Sequence, residues 1–404
     1  MRITLVSQEY PPETARGGIG TQTFVKAHGL AALGHSIHVI SRSPDQIRRE
    51  YMDGAVTVTR IPDMSDRLPL YTTPADWLTY STEVAVAVTS LQERLPIDVV
   101  DFPEWGSEGY VYLANRTEWN SIPTVIHLHG PLVMFAHQLR WPALDSTFYQ
   151  IGAHMEATCL RLADAVFSSS ACSTEWCASH YGLCPESIPT LHTGVDISLF
   201  RPATEPRDSQ PSIVFVGNVT TTKGVELLLE AAIALAVEIP ELRLRIIGRG
   251  EEEVERRLVS RAGDAGRSDL LELVGFVPRE KLPEQLTRAQ VFAVPSEYEG
   301  GPGFVYLEAM ACGLPVIACA GSGAAEVVSH EQTGLLVRPR NLKDLVDALR
   351  RLLFNPELRR TLGSAARRYA AEQANGERCV QRIASFYESV TSRTTRPEVG
   401  GGRE

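Results

Sequence analysis

The sequence predicts an α/β protein made of two Rossmann-like, doubly wound domains. Three observations carry that expectation. The chain has 404 residues, room for two domains of roughly 200 residues each. Short apolar runs that read as strands alternate with helical patterns, and the rhythm restarts after a polar, proline-bearing stretch at 204–211. The clearest unit is 291–320. There 291–294 reads as a buried strand, 295–303 as a loop rich in glycine and carboxylates, 305–312 as a helix stopped by Gly313 and Pro315, and 315–320 as the next strand.

A strand, glycine loop, helix and strand in that order form a unit whose helix N-terminus can hold an anion. Glu299 stands before the helix and Glu308 inside it. Two carboxylates beside a phosphate-attracting helix end admit two readings. They accept hydrogen bonds from sugar hydroxyls on either side of a diphosphate, or they are solvated glutamates favoured by the helix dipole.

Composition narrows the function classes. With 44% hydrophobic and 22% charged residues, the chain has the makings of a full globular core. A net charge of −10 argues against a nucleic-acid partner. It also weakens any membrane role based on basic patches, so membrane contact is admitted but not favoured. No apolar run approaches the ~20 residues needed to span a bilayer. Residues 1–7 are too short for a signal peptide. Seven scattered cysteines do not suggest a disulfide framework, and a reducing cytoplasm is the expected compartment. Cys172, Cys177 and Cys184 cluster near His180, but spacings of five and seven fit no common zinc pattern, so no metal is expected.

In chain order, 2–7 is a strand, ended by Tyr10-Pro11-Pro12. Gly17-Gly18-Ile19-Gly20 opens a helix that runs to Leu33, and 37–41 is the second strand. The glycine loop lacks the full dinucleotide fingerprint, which leaves a tight turn or a phosphate approach open. Strands follow at 56–61 and 97–101, with a helix at 77–95 between them. Ligands bind at the carboxyl ends of such strands. Trp105 there can stack on a sugar face with Asp101 or Glu104 bonding its hydroxyls; a core tryptophan and a capping glutamate are the other reading. In the strand from Thr124, alternation puts His127 and His129 on one face, ending at Gly130-Pro131. That pairing points to a site. The apolar, aromatic stretch 131–142 is expected to be an acceptor-covering loop or a lipid-touching patch. A helix at 145–163, a strand at 165–169 and a helix from about 170 complete the first half. The second half begins with a strand at 212–216 and the loop Gly217-Asn218-Val219-Thr220-Thr221-Thr222-Lys223-Gly224. A helix at 225–239 follows, then strands at 242–247 and 271–276. Helices are expected at 342–354, 356–368 and 374–390, and a disordered tail at 391–404.

The run Glu308-Ala309-Met310-Ala311-Cys312-Gly313-Leu314-Pro315-Val316 closely resembles the signature of the retaining glycosyltransferases of family 4. Tyr10-Pro11-Pro12 with the glycine loop, His129-Gly130, Thr193-Gly194-Val195-Asp196 with Phe200-Arg201-Pro202, and Gly275-Phe276-Val277-Pro278 resemble further motifs of that family. The resemblance spans about 1–390 and implies the GT-B fold, two Rossmann-like domains facing across a cleft. It implies an acceptor-side domain at 1–205, a nucleotide-sugar domain at 206–375 and a helix crossing back at 376–390.

The resemblance also implies residue roles. Glu299 approaches the donor sugar and Glu308 holds the ribose. Gly303 and the amides of Phe304 and Val305 meet the diphosphate, which Lys223 clamps. Gly18, read as a donor-side residue, belongs to the glycines that let donor phosphate or acceptor approach the backbone, and the Phe276 loop meets the base. His129 lies near the transferred sugar, with His127, Trp105 and Glu104 on the acceptor side. Two departures stand out: Asn218 replaces the family's usual arginine, and eight residues rather than seven separate Glu299 from Glu308. The implied activity is metal-independent, retaining transfer from a UDP- or GDP-sugar to an acceptor hydroxyl, on a small molecule or growing glycan, with no cofactor beyond the donor. The alternative is a catalytically inactive nucleotide- or glycan-binding relative. An epimerase or a phosphorylase is a closer enzymatic rival, though no convincing site for a phosphorylase cofactor lysine is found.

Overall fold

The computed structural model describes residues 1–14, 18–63, 70–117, 121–203 and 210–394. Gly17, most of the expected linker (204–209) and the tail from 395 lie outside them. The chain divides into two compact units. Met1–Thr193 is joined by the segment from Glu377 onward to form the first, and Gly194–Gly376 is the second.

The first unit holds a seven-stranded sheet of β1 (Arg2–Val6), β2 (Ser36–Arg42), β3 (Arg49–Asp53), β4 (Val56–Ile61), β5 (Val99–Pro103), β6 (Thr124–Leu128) and β7 (Ala165–Ser168). Its order is β3-β4-β2-β1-β5-β6-β7, parallel except for the antiparallel β3–β4 edge. Beyond that edge strand the order is that of the doubly wound dinucleotide fold, and its winding reverses between β1 and β5. Period-two alternation fills both faces. Ile3, Leu5, Val99 and Val125 pack with Leu30 of the helix Gly18–Ala32 and with Val380, Ile383 and Tyr387 of the last helix, Gly376–Thr394. Val6, Val100 and Ile126 pack on the other side with Val84, Val88 and Leu91 of the helix Thr73–Arg94.

The second unit repeats the plan with β8 (Ser212–Val216), β9 (Arg243–Ile247), β10 (Leu271–Gly275), β11 (Val291–Ala293), β12 (Val316–Cys319) and β13 (Gly334–Val337). All its pairings are parallel, in the order β10-β9-β8-β11-β12-β13. The winding reverses between β8 and β11, where ligands bind in such sheets. The chain therefore has the GT-B architecture of two Rossmann-like domains.

Three local expectations need correction. The stretch 131–142 is no open loop: Leu132–Gln138 is a helix with Leu132, Val133, Met134 and Ala136 buried, because its apolar residues fill the core. β3 was unforeseen, although its hairpin turns on Asp53-Gly54, with Gly54 at φ +59. The helix expected from 77 begins at Thr73, where Pro74 and Asp76 suit a first turn. None of the seven cysteines is joined in a disulfide. Among the described residues no helix is long and apolar enough to cross a membrane.

Candidate active site

In the second unit, two loops at the carboxyl ends of β8 and β11 are stitched together. The amide of Glu297 donates to the Thr222 carbonyl at 3.0 Å, and Gly224, at φ +72, lies so close to Pro295 that any Cβ would strike its carbonyl. This brings Lys223 and Glu299 together: Lys223 Nζ lies 2.7 Å from Glu299 Oε1, and both side chains are partly open to solvent. A third loop braces the pair, since the Gly323 amide donates to the Glu299 carbonyl at 2.9 Å.

The helix Phe304–Ala311 starts directly after this loop. Gly303 stands at φ +68, and a Cβ there would come 2.7 Å from the Tyr306 ring, so glycine is required. Tyr306 is itself fixed by donating its hydroxyl to the Val294 carbonyl at 2.8 Å. The first amides, those of Phe304 and Val305, precede any intrahelical acceptor and are half-buried. One turn on, Glu308 is buried and accepts from Arg279 Nε at 2.9 Å. Burial pushes the Glu308 carboxyl up in pKa, and Arg279 pulls it back. A lysine, free helix amides and a buried carboxylate thus follow one another, an order suited to a diphosphate flanked by hydroxyl-bearing groups.

Asn218, in the β8 loop, is exposed and uncharged at pH 7. Phe276 follows β10 and is 62% exposed, with the Arg249 guanidinium 5.1 Å from its ring centre.

In the first unit, His129 leaves the carboxyl end of β6 half-buried, and its ring nitrogens have no hydrogen-bond partner among the described residues. Its ring sits 3.9 Å, centre to centre, from that of His127. Burial, and after it the nearby Lys26 ammonium, hold His129 well below the usual histidine range, which favours the neutral imidazole. Glu104 accepts from the amides of His129 and Gly130, at 2.7 and 2.5 Å, and so fixes this exit.

Two family models match in series. One described as Glycosyltransferase Family 4 matches residues 16–199, and one described as Glycosyl transferases group 1 matches 196–369. The chain belongs to glycosyltransferase family 4. A D-inositol 3-phosphate glycosyltransferase of Kribbella flavida is 28% identical over 88% of this chain and 86% of its own length. An MMP alpha-(1->4)-mannosyltransferase of Mycolicibacterium hassiacum is 27% identical over 97% and 99%. Among solved structures, a sucrose-phosphate synthase from Thermosynechococcus elongatus superposes with a TM-score of 0.81 at 23% identity, covering 97% of this chain and 99% of that one. HepE of Anabaena, solved with UDP-glucose, gives 0.74 at 19% identity, covering 96% and 100%. At those identities the two structures speak for the fold.

In this glycosyltransferase the expected donor residues Lys223, Glu299, Gly303, Phe304, Val305 and Glu308 lie in the second unit, as do Asn218 and Phe276. Gly18 belongs to the first unit, where it opens a helix, exposed and with open space around it. The acceptor role expected of Glu104 and His127 does not suit their surroundings. Glu104 is fully buried beneath the His129 loop, and His127 is enclosed between Lys26 and Ser169. Trp105 is half-buried among Trp77 and Phe135, in an aromatic cluster rather than on an open platform. Arg279, Lys26 and Glu156 were not foreseen. Glu156 is buried and accepts from the Leu132 amide at 2.9 Å and from the Tyr181 hydroxyl. For Lys26 and Glu156 the available signal was an ionisable residue on the apolar stripe of a helix; for Arg279 it was a cation directly after the Gly275–Pro278 loop.

Proposed function

We propose that this chain is a retaining, metal-independent glycosyltransferase that moves a hexose from a UDP- or GDP-sugar to a hydroxyl of a small molecule or growing glycan in the cytoplasm. The observation that carries the reading is the Lys223–Glu299 pair set beside the open amides of Phe304 and Val305, with Glu308 buried one turn on. The names of the relatives, which include GDP-mannose-dependent mannosyltransferases, support the donor class.

In this mechanism the diphosphate docks on the helix amides and Lys223, whose positive potential stabilises charge on the leaving group. Glu308 and Arg279 hold the ribose end. The bond between the anomeric carbon and the phosphate oxygen breaks through an oxocarbenium-like state. The acceptor oxygen bonds the same face of that carbon, and its proton passes to the departing phosphate oxygen. Glu299 positions the sugar and the enzyme supplies no nucleophile; the family resemblance gives His129, in the first unit, a role towards the transferred sugar. Glu104 acts by holding the His129 loop.

Incubation with UDP-, GDP- and ADP-sugars and a panel of polyol and glycan acceptors tests the reading. NMR of the anomeric proton reports retention, and a parallel run in chelator reports metal independence. A product of inverted configuration would overturn the retaining assignment. Tight nucleotide binding with no turnover on any acceptor would favour the inactive relative, for which the uncharged Asn218 and the longer glutamate loop speak.

A further inference from the structure

His129 ends a buried polar chain that runs through the first unit. On the helix Gly18–Ala32, Gln22 and Lys26 sit one turn apart on the buried face. Lys26 Nζ lies 2.8 Å from Asp101 Oδ2 on β5 and 3.1 Å from His127 Nδ1 on β6. Tyr387, from the helix Gly376–Thr394, donates its hydroxyl to the same Asp101 oxygen. Beyond the ring, His127 Nε2 is 2.8 Å from Ser169 Oγ, which also accepts from Gln22 Nε2 at 2.8 Å. All six of these side chains are buried.

Burying an ion pair adds little stability over an apolar pair of the same shape. The charge at position 26 therefore calls for another explanation, and its geometry supplies one. An ammonium has donors only, so it donates to His127 Nδ1, and the ring keeps its proton on Nε2 for Ser169. Both nitrogens are then occupied and the ring cannot turn. Tilted by 43° against it, 3.9 Å centre to centre, is the ring of His129, whose backbone amide donates to Glu104.

We infer that Lys26, acting through His127, is the positioning residue that holds the His129 ring in one orientation and keeps a positive charge off it. The inference rests on the reading that His129 serves the transferred sugar. A cationic imidazole there would oppose the positive charge that develops at the anomeric carbon, and a neutral one does not. The titratable groups facing the two imidazoles are Lys26 from the helix, Asp101 and Glu104 from β5 and its exit, and Tyr387 from the last helix.

The test is long-range proton–nitrogen NMR of the full chain labelled with 15N-histidine, which reads tautomer and charge of each ring, with His127→Phe and His129→Gln used for assignment. The wild type is expected to show His127 protonated on Nε2 and His129 neutral between about pH 5.5 and 8. In Lys26→Met, burial still holds His129 down, but the loss of the Lys26 charge is expected to raise its titration part of the way towards the ordinary histidine value of about 6.5. Its kcat then falls, by up to about tenfold, as pH drops through that raised midpoint, while the donor KM changes little. A merely structural lysine would lower activity equally at every pH. A wild-type His127 protonated on Nδ1, or an unshifted His129 in Lys26→Met, overturns the inference. If Lys26→Met does not fold, the wild-type spectrum alone decides. Absence of any transfer with every donor would refute the glycosyltransfer reading and leave the spectra interpretable.

Discussion

Replacing Lys223 by alanine separates the site's chemistry from the fold's stability. Lys223 Nζ lies 2.7 Å from Glu299 Oε1, with the side chains 28% and 12% exposed. A pair this open to water contributes about 1 kcal/mol or less to folding, so the melting temperature moves by only a few degrees. The effect on catalysis is larger. Losing one preorganised charge contact to the leaving group costs about a hundredfold or more in turnover, roughly 2.7 kcal/mol of barrier. The alanine also leaves the Glu299 carboxylate uncompensated beside the bound diphosphate. Combining it with Glu299→Gln removes that repulsion, so the double variant binds the nucleoside diphosphate more tightly than Lys223→Ala alone. Calorimetric titration with UDP, GDP and ADP measures the binding, and single-turnover transfer measures the chemistry. Turnover within about threefold of wild type, or a double variant that binds no better than the single one, would refute the reasoning.

Further outcomes follow from the same geometry. Arg279→Gln leaves Glu308 buried without its cation; about 3 kcal/mol of stability and most nucleotide affinity are expected to go, as thermal melts and titration would show. Asn218→Arg adds a cation to the β8 loop and should tighten nucleoside diphosphate binding about tenfold with a steeper salt dependence; unchanged affinity would exclude contact with the phosphates. Burial pushes Glu104 up to about 7 and Glu108 and Glu156 to about 8, above their unfolded values near 4.3. The folded chain then binds more protons than the unfolded one across that window, so their contribution makes stability fall as pH rises from about 4.5 to 8. Glu156→Gln should flatten that fall, and a denaturation series against pH that is steeper in the variant would contradict it.

Much of this was legible in the sequence because glycine and proline mark it. The β11–loop–helix–β12 unit is bounded by Pro295, Gly303, Gly313 and Pro315, and Glu308 falls on the buried side of its helix as the spacing implies. Lys223 and Glu299 were both visible as candidates, but their contact was not, since they lie 76 positions apart and only the pairing of β8 with β11 brings their loops together. The histidines were read as one pair; the structure divides them, His129 half-buried and His127 enclosed. That division depends on Lys26 and Ser169, which reach β6 from separate elements. Glu104 illustrates the same limit. A carboxylate at a strand's end suits a sugar hydroxyl or a loop amide equally well, and only the path of residues 129–130 decides between them.

The return of the last helix to the first unit bears on how the protein is made. Val380, Ile383 and Tyr387 belong to the same core as Ile3 and Leu5, so the first sheet cannot finish packing until the ribosome has delivered all of Gly194–Gly376 and the helix beyond it. Tyr387 also closes on Asp101 in that late step. The N-terminal half therefore waits with one apolar face open while the C-terminal half, whose core is continuous in sequence, folds on its own schedule. A chain stopped short of that helix would be expected to yield a sound second unit attached to an aggregation-prone first one.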